Sequence, residues 1–362
     1  MKEAVGIEGI SAAFAAGAAA GAVLFEHLSL SAGFWAGASA AGSITSVLLL
    51  LLSQRPRRPS TALLFFLFCG LTCYISARIS SPVETTASAV SLLARKCSYA
   101  FKGLIDGMPF PHEESRAIIK ALTTGDRTSL QDAAIATFRK SGASHVLALS
   151  GLHLGIIYML IARLVSIAGN APAVRVVRFV IMTAVSGFYT LMSGASPSLV
   201  RAFLFILIAE TASLTGRRRV PLKIWCSALL LQLVLDPLAI SSTGFQLSYL
   251  AMLGIFTVFP AMKSWYPESS RFDPIKKVWD MAALSISCQL FTGPLAWIRF
   301  HAFPVYFLLT NLIVMPLTSL VMTSALSAIL LSAAGLKPVL LTRITDSLVQ
   351  AMLYCLGIIA SM

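Results

Sequence analysis

The stretch HVLALSGLHLGIIYML, residues 145–160, decides how this chain is read. It is apolar enough to lie in a bilayer, yet it holds two histidines, a serine and two glycines. Lipid offers no hydrogen bonds, so each polar group there must find a partner inside the protein or face water. On a regular helix His145, Ser150 and His153 fall within about 140° of one another. Gly151, Gly155 and Ala148 share another side, where G-x-x-x-G spacing lets a neighbouring helix approach closely. Ser150-Gly151 could instead break the helix, and the shared faces would then be lost.

The rest of the chain sets the solvent. Of 362 residues, 57% are hydrophobic and 12% charged, about half the charge that a soluble domain carries. Apolar runs recur at roughly 9–26, 31–52, 61–78, 145–162, 176–192, 198–214, 224–240, 244–262, 281–298, 303–334 and 339–360, each near the length that spans a bilayer. The expected fold is an all-α polytopic membrane protein with about eleven spans. The tenth run is long for one crossing and holds Pro316, which points to a half-helix followed by a full span. A second apolar run follows the first almost at once, and no basic leader precedes it, so the first run is expected to be retained. Cys69, Cys73, Cys97, Cys226, Cys288 and Cys355 are scattered and read as small core residues.

With the N-terminus in the cytoplasm, Lys2, Arg55, Arg57, Arg58, Arg163, Arg175, Arg178, Arg217, Arg218, Arg219, Lys223, Lys263, Arg271, Lys276, Lys277, Lys337 and Arg343 all fall inside. The short outer loops hold only Arg299. The positive-inside rule therefore orients the chain, with an extracytoplasmic C-terminus. It also absorbs most of the net charge of +13, which is then poor evidence for nucleic-acid binding.

Three parts are expected: residues 1–79 with spans one to three, 80–143 outside the membrane, and 144–362 with spans four to eleven. Within 80–143, apolar residues at helical spacing alternate with Lys and Arg in three amphipathic helices, the last opened by Thr128, Ser129 and Asp132. They fit a collar on the outer membrane face or ordinary packing helices.

Polar residues recur within the spans. Ser285, Gln289 and Thr292 share a face of span nine. Gln246 and Ser248 sit near the outer end of span eight, and Asn311 precedes Pro316 in span ten. Arg201 lies ~7–8 Å into its helix by helical rise. An intramembrane arginine costs at least ~2.5–3.5 kcal/mol on insertion scales and marks a functional site by default. Glu210 is nearer the Arg217–Arg219 cluster than Arg201. Each of these groups could equally fasten one helix to another. His145 and His153 are eight residues apart with no acid or cysteine beside them, which argues against a metal. Ser150 and His153 lack a third catalytic partner, and no Walker motif or H-E-x-x-H occurs. No enzyme activity and no cofactor are expected.

Four ordered blocks then resemble the ComEC competence family. ESRAIIKALTTGDRTSLQDAAIATFRKSGASHVLALSGLHLG resembles its G-D-R turn, helix and H-hydrophobic-S-G-L-H segment. SGASPSLVRAFLF resembles its G-A-x-x-S-x-x-R-A block, and DPLAISSTGFQLSYLAMLGI its D-P and G-F-Q-L-S block. LLTNLIVMPLTSL resembles its A-N-hydrophobic-P block, with Thr310 in place of a small residue. The motif positions are Asp126, Arg127, His145, Ser150, Gly151, His153, Ser198, Arg201, Gln246, Ser248, Asn311 and Pro316. The resemblance implies a multi-pass channel in the bacterial cytoplasmic membrane that passes one DNA strand inward during natural transformation. It implies a cytoplasmic helicase-like ATPase and an extracytoplasmic DNA receptor as partners, besides single-stranded DNA and the bilayer. The OB-like and metallo-β-lactamase-like domains of full-length relatives have no counterpart here, and no H-x-H-x-D-H occurs. A membrane-domain-only form without nuclease activity is the expectation.

On this reading His145, Ser150, His153, Arg201, Gln246, Gln289 and Asn311 line a hydrated path, and a homo-oligomer is compatible with it. Two rivals stay open: a transporter of a small polar solute or lipid with a closed midplane pocket, and a non-transporting scaffold.

Overall fold

Proline opens many of the helices. Pro59, Pro172, Pro197, Pro221 and Pro274 each stand at the first helical position, where the missing N–H has no partner within the helix. The computed structural model describes residues 6–28, 31–53, 59–80, 89–167, 169, 171–267, 273–301 and 305–362. Lys2, Arg55, Arg57, Arg58 and Arg271, which entered the orientation argument, lie outside them.

The helices are α1 (Ile7–His27), α2 (Ala32–Ser53), α3 (Pro59–Ser80), α4 (Ala89–Asp106), α5 (Glu113–Thr124), α6 (Asp132–Lys140), α7 (Ser144–Leu147) and α8 (Gly151–Ser166). There follow α9 (Pro172–Met192), α10 (Pro197–Leu214), α11 (Pro221–Leu235), α12 (Thr243–Thr257), α13 (Phe259–Ser264), α14 (Pro274–Phe300), α15 (Phe307–Ala333) and α16 (Val339–Ser361). No strand occurs among the described residues. Among the described residues eight helical stretches are long and apolar enough to cross a membrane, one of them running through α12 and α13, and α8 and α11 are shorter apolar helices. The chain is an all-α polytopic membrane protein.

Its contacts form two units. The first joins Met1–Thr86 to Leu207–Leu253. There α1 packs on α3 and α11, and α2 packs on α3. A Cβ on Gly17 would collide with the Leu67 carbonyl, and one on Gly70 with the Phe14 carbonyl. Only glycine lets these two backbones touch. Glu210 is buried and accepts from Arg219 Nη2 at 3.1 Å, the pairing expected for it.

The second unit joins Ala87–Ile206 to Gly254–Met362. Its centre is the α15–α16 pair, with Val314, Val321, Met322, Val349, Met352 and Leu356 buried between elements. Against this pair lies α5, with Ile118, Ile119 and Leu122 fully buried. The backbone N–H of His112 donates to Asp346 Oδ1 at 3.2 Å, and Gln350 Nε2 donates to Ser115 Oγ at 3.1 Å. Successive turns of α5 thus meet successive turns of α16, so the two helices run side by side in the same direction. Asp346 lies ~10 Å along α16. Of the two readings left open for the amphipathic helices, α5 takes packing. On α4, Leu92, Leu93 and Tyr99 are exposed beside Arg95 and Lys96, the composition of an interfacial helix.

Several expected spans differ in detail. The fourth does not begin at His145. The chain leaves α7, is extended at Ser150 (φ −132°, ψ 172°), and enters α8 at Gly151. His145, Ser150 and His153 therefore share no helical face, because Ser150 serves as the N-cap of a new helix. The seventh stops at Leu235. Asp236, ahead of Pro237, cannot easily stay α-helical, and its side chain accepts from the Leu238 N–H at the head of the 3-10 turn Pro237–Ser241. The eighth is divided between α12 and α13 ahead of Pro260. The tenth is one continuous helix with Pro316 inside it, not a half-helix and a span. A proline removes a single N–H, and a helix in a packed bundle accommodates that loss.

Candidate functional site

The break before α8 is built from hydrogen bonds that the sequence itself supplies. Ser150 Oγ accepts from the Leu152 N–H at 3.3 Å, and the Ser150 backbone N–H donates to His153 Nδ1 at 3.0 Å. Ser and His together close a capping box in which histidine takes the place usual for Glu or Gln. An Nδ1 that accepts a backbone N–H places the proton of the neutral ring on Nε2. His153 is 1% exposed, and its Nε2 has no partner among the described residues. His145 does not join this pair, since its Nδ1 bonds the Gly142 carbonyl at 3.2 Å.

The G-D-R turn holds that break from one side. Gly125 ends α5 in the left-handed region at φ 77°, and a Cβ on it would lie 2.7 Å from Leu149 Cδ1. Arg127 Nε donates to the Leu147 carbonyl at 3.3 Å, covering an acceptor at the end of α7. Asp126 is clipped between two elements. Its Oδ2 meets Lys102 Nζ at 2.6 Å, and its Oδ1 accepts from the Thr128 N–H at 3.0 Å and the Thr128 hydroxyl at 2.7 Å. Lys102 first, and then Thr128, hold the Asp126 carboxyl well below the usual carboxylate range. The neighbouring ends are tied as well. Tyr189 Oη donates to the Thr123 carbonyl at 2.8 Å, and Thr310 Oγ1 to the Ser141 carbonyl at 2.6 Å.

Arg201 faces the first turn of α8. It is 7% exposed, and a Cβ on Gly151 would lie 3.3 Å from its Nη2. Its guanidinium carbon is 5.9 Å from the Phe205 ring centre, one turn along α10, a cation–π contact. Cys288 on α14 is within electrostatic reach of it. The strand-free turn ahead of α10 is tight, with Gly194 at φ 82° and Ala195 at φ 48°, a conformation that costs a non-glycine residue energy.

The structure thus brings Asp126, Arg127, Ser150, Gly151, His153 and Arg201 into one connected group. Gly155 meets nothing within 4 Å of a notional Cβ, so only Gly151 of the G-x-x-x-G pair contacts α10. Ser198 is half-buried in the first turn of α10, and Gln289 and Asn311 are half-buried on α14 and α15. Gln246 and Ser248 belong to the first unit, where Gln246 Nε2 donates to the Ile240 carbonyl at 2.8 Å. No cluster suited to a metal occurs among the described residues. Sequence reasoning missed Lys102, Tyr189 and the buried Asp346. The last had a signal, a carboxylate inside an apolar run. The other two had none, because their partners are distant in the chain.

Comparison with known proteins extends these observations. A family model described as Competence protein matches residues 122–362. Similar curated proteins include ComE operon protein 3 of Bacillus subtilis, 28% identical over 220 residues, which are 60% of this chain and 27% of that protein. Competence protein ComA of Neisseria gonorrhoeae is 27% identical over 190 residues, 51% of this chain and 26% of that protein. Uncharacterized protein YcaI of Escherichia coli is 25% identical over 219 residues, 59% of this chain and 28% of that protein. The chain thus matches these relatives over about a quarter of their length. No solved structure matches it significantly.

Proposed function

Because the chain belongs to the competence-protein family, whose model it matches over residues 122–362, we propose that it passes single-stranded DNA through the bacterial cytoplasmic membrane during natural transformation. Residues 144–362 form the conducting part, with the N-terminus in the cytoplasm and the C-terminus outside. The observation that carries this reading is Arg201, a cation buried at 7% exposure against the broken start of a membrane helix. An intramembrane cation is costly without a task, and the helix turn it faces also carries His153 with its buried Nε2.

A stripped strand offers phosphates and unpaired bases. A passage for it needs positive charge and hydrogen-bond donors that grip weakly at each point, so that the strand moves on. Separate donors on Arg201, His153, Gln289 and Asn311 meet that need better than a basic cluster does. His145 is a further lining position. The chain is a conduit and not an enzyme. The force comes from a cytoplasmic helicase-like ATPase, the strand arrives from an extracytoplasmic DNA receptor, and assembly as a homo-oligomer is compatible with this role. The exposed Leu92, Leu93 and Tyr99 face of α4 rests at the outer membrane surface.

The test is transformation by Arg201→Ala and Arg201→Lys strains at equal membrane abundance. Loss of uptake in Arg201→Ala, with partial retention in Arg201→Lys, is expected. Parental uptake in both removes Arg201 from the mechanism.

A further inference from the structure

Asp126 and Arg127 stand outside the spans, yet they connect directly to the helix break that faces Arg201. We infer that Lys102, on α4 and ahead of the family-matched residues, is a positioning residue. Through Asp126 and the Arg127–Leu147 bond it fixes where the Ser150–His153 cap stands and, with it, where Gly151 meets Arg201.

The chain of contacts is short. Lys102 Nζ meets Asp126 Oδ2 at 2.6 Å. The other oxygen of that carboxylate is held by the N–H and hydroxyl of Thr128, so the turn is tied at both of its acceptors. The next residue, Arg127, reaches across to the Leu147 carbonyl, three residues before Ser150. On the other side of the turn Gly125 receives Leu149 at closer range than any other residue permits. Residues 148 and 149 lie in neither α7 nor α8, while Ser150 is tied to α8 by its capping box. The segment that carries this cap is held by the turn on one flank and, further up the chain, by the Thr310–Ser141 bond.

An exposed ion pair is worth little alone. This one differs in two respects. Both side chains are mostly covered, at 27% and 19% exposure, and the carboxylate is part of a network that orders an arginine. The energy of the pair matters less than the position it fixes. A displacement of about 1 Å at a positioned group is enough to change its function by up to two orders of magnitude.

This inference rests on the proposed function for its uptake readout, but not for its structural one. The experiment compares the parent with Lys102→Gln, Asp126→Asn and Lys102→Arg in the full chain. Hydrogen–deuterium exchange over residues 143–155 is measured in lipid nanodiscs, and transformation is measured at equal abundance. Lys102→Gln and Asp126→Asn are expected to speed exchange over 143–155 and to lower uptake on the order of tenfold, the effect of ~1.4 kcal/mol. Lys102→Arg keeps the cation and leaves the Thr128 bonds to Asp126 in place, and it is expected to stay close to the parent in both. Unchanged exchange in both Lys102→Gln and Asp126→Asn overturns the inference, whatever uptake does. Faster exchange with parental uptake, in a strain set where Arg201→Ala abolishes uptake, also overturns it. If Arg201→Ala retains parental uptake while exchange responds in Lys102→Gln and Asp126→Asn but not in Lys102→Arg, the positioning contact stands and the conduit reading fails.

Discussion

Asp346 accepts twice from His112, at 3.2 Å from its backbone N–H and 2.8 Å from its ring Nδ1. A buried carboxylate in a membrane helix thereby caps the entry of α5, a helix whose amphipathic sequence suits a surface position. Asp346→Ala leaves that N–H without its acceptor, and a loss of ~1–3 kcal/mol is expected. Asp346→Asn keeps an acceptor oxygen and is expected to lose less. Thermal unfolding of both variants in one detergent checks the order.

Asp126 gives a pH dependence with a definite sign. Its carboxyl is held below its ordinary range in the folded protein, so the stability it contributes is fully present above the unfolded carboxylate pKa of about 4. That stability is lost only as the pH falls through the lower folded value. The difference in melting temperature between the parent and Asp126→Asn is expected to be constant from about pH 8 to pH 5 and to shrink below about pH 4. A difference already shrinking between pH 7 and pH 5 contradicts the Lys102 clip.

Gly125→Ala is expected to destabilise by ~1–3 kcal/mol. It places a side chain at φ 77° and a Cβ 2.7 Å from Leu149. Denaturation of the purified variant measures it.

The two glycines of α8 separate contact from spacing. A Cβ on Gly151 meets Arg201 Nη2 at 3.3 Å and Ala202 Cβ at 3.4 Å, whereas one on Gly155 meets nothing. Gly155→Ala is expected to transform as the parent does. Gly151→Val, which cannot fit without moving Arg201, is expected to lose uptake. Equal behaviour of the two variants at matched abundance removes the α8–α10 contact from the account.

How much of this was legible in the sequence follows from what each signal reports. Hydropathy shows the all-α membrane class well, because the bilayer demands length and apolarity and little else, although eleven spans were expected and eight long apolar stretches with two shorter ones occur among the described residues. It is silent on the break at Ser150, since the apolar run continues through it. The Ser-Gly pair was the local clue, and the capping box with His153 settled it. Amphipathic spacing announced α5 but not its partner, because lipid interface and protein core ask for the same apolar stripe. Arg201 stood out by its charge and is buried. The Lys102–Asp126 pair joins residues 24 apart, and nothing in local periodicity brings them together.

The central claim is passage of a single strand beside Arg201. It is tested most directly by importing fluorescently labelled single-stranded DNA into sealed vesicles that hold this chain and a cytoplasmic helicase-like ATPase, with nuclease outside to destroy strands left behind. Protected label that accumulates with ATP, falls steeply as salt is raised, and is lost in Arg201→Ala is the expected result. Import by Arg201→Ala vesicles at the parental rate, or protected label that the parent never exceeds over protein-free vesicles, contradicts it.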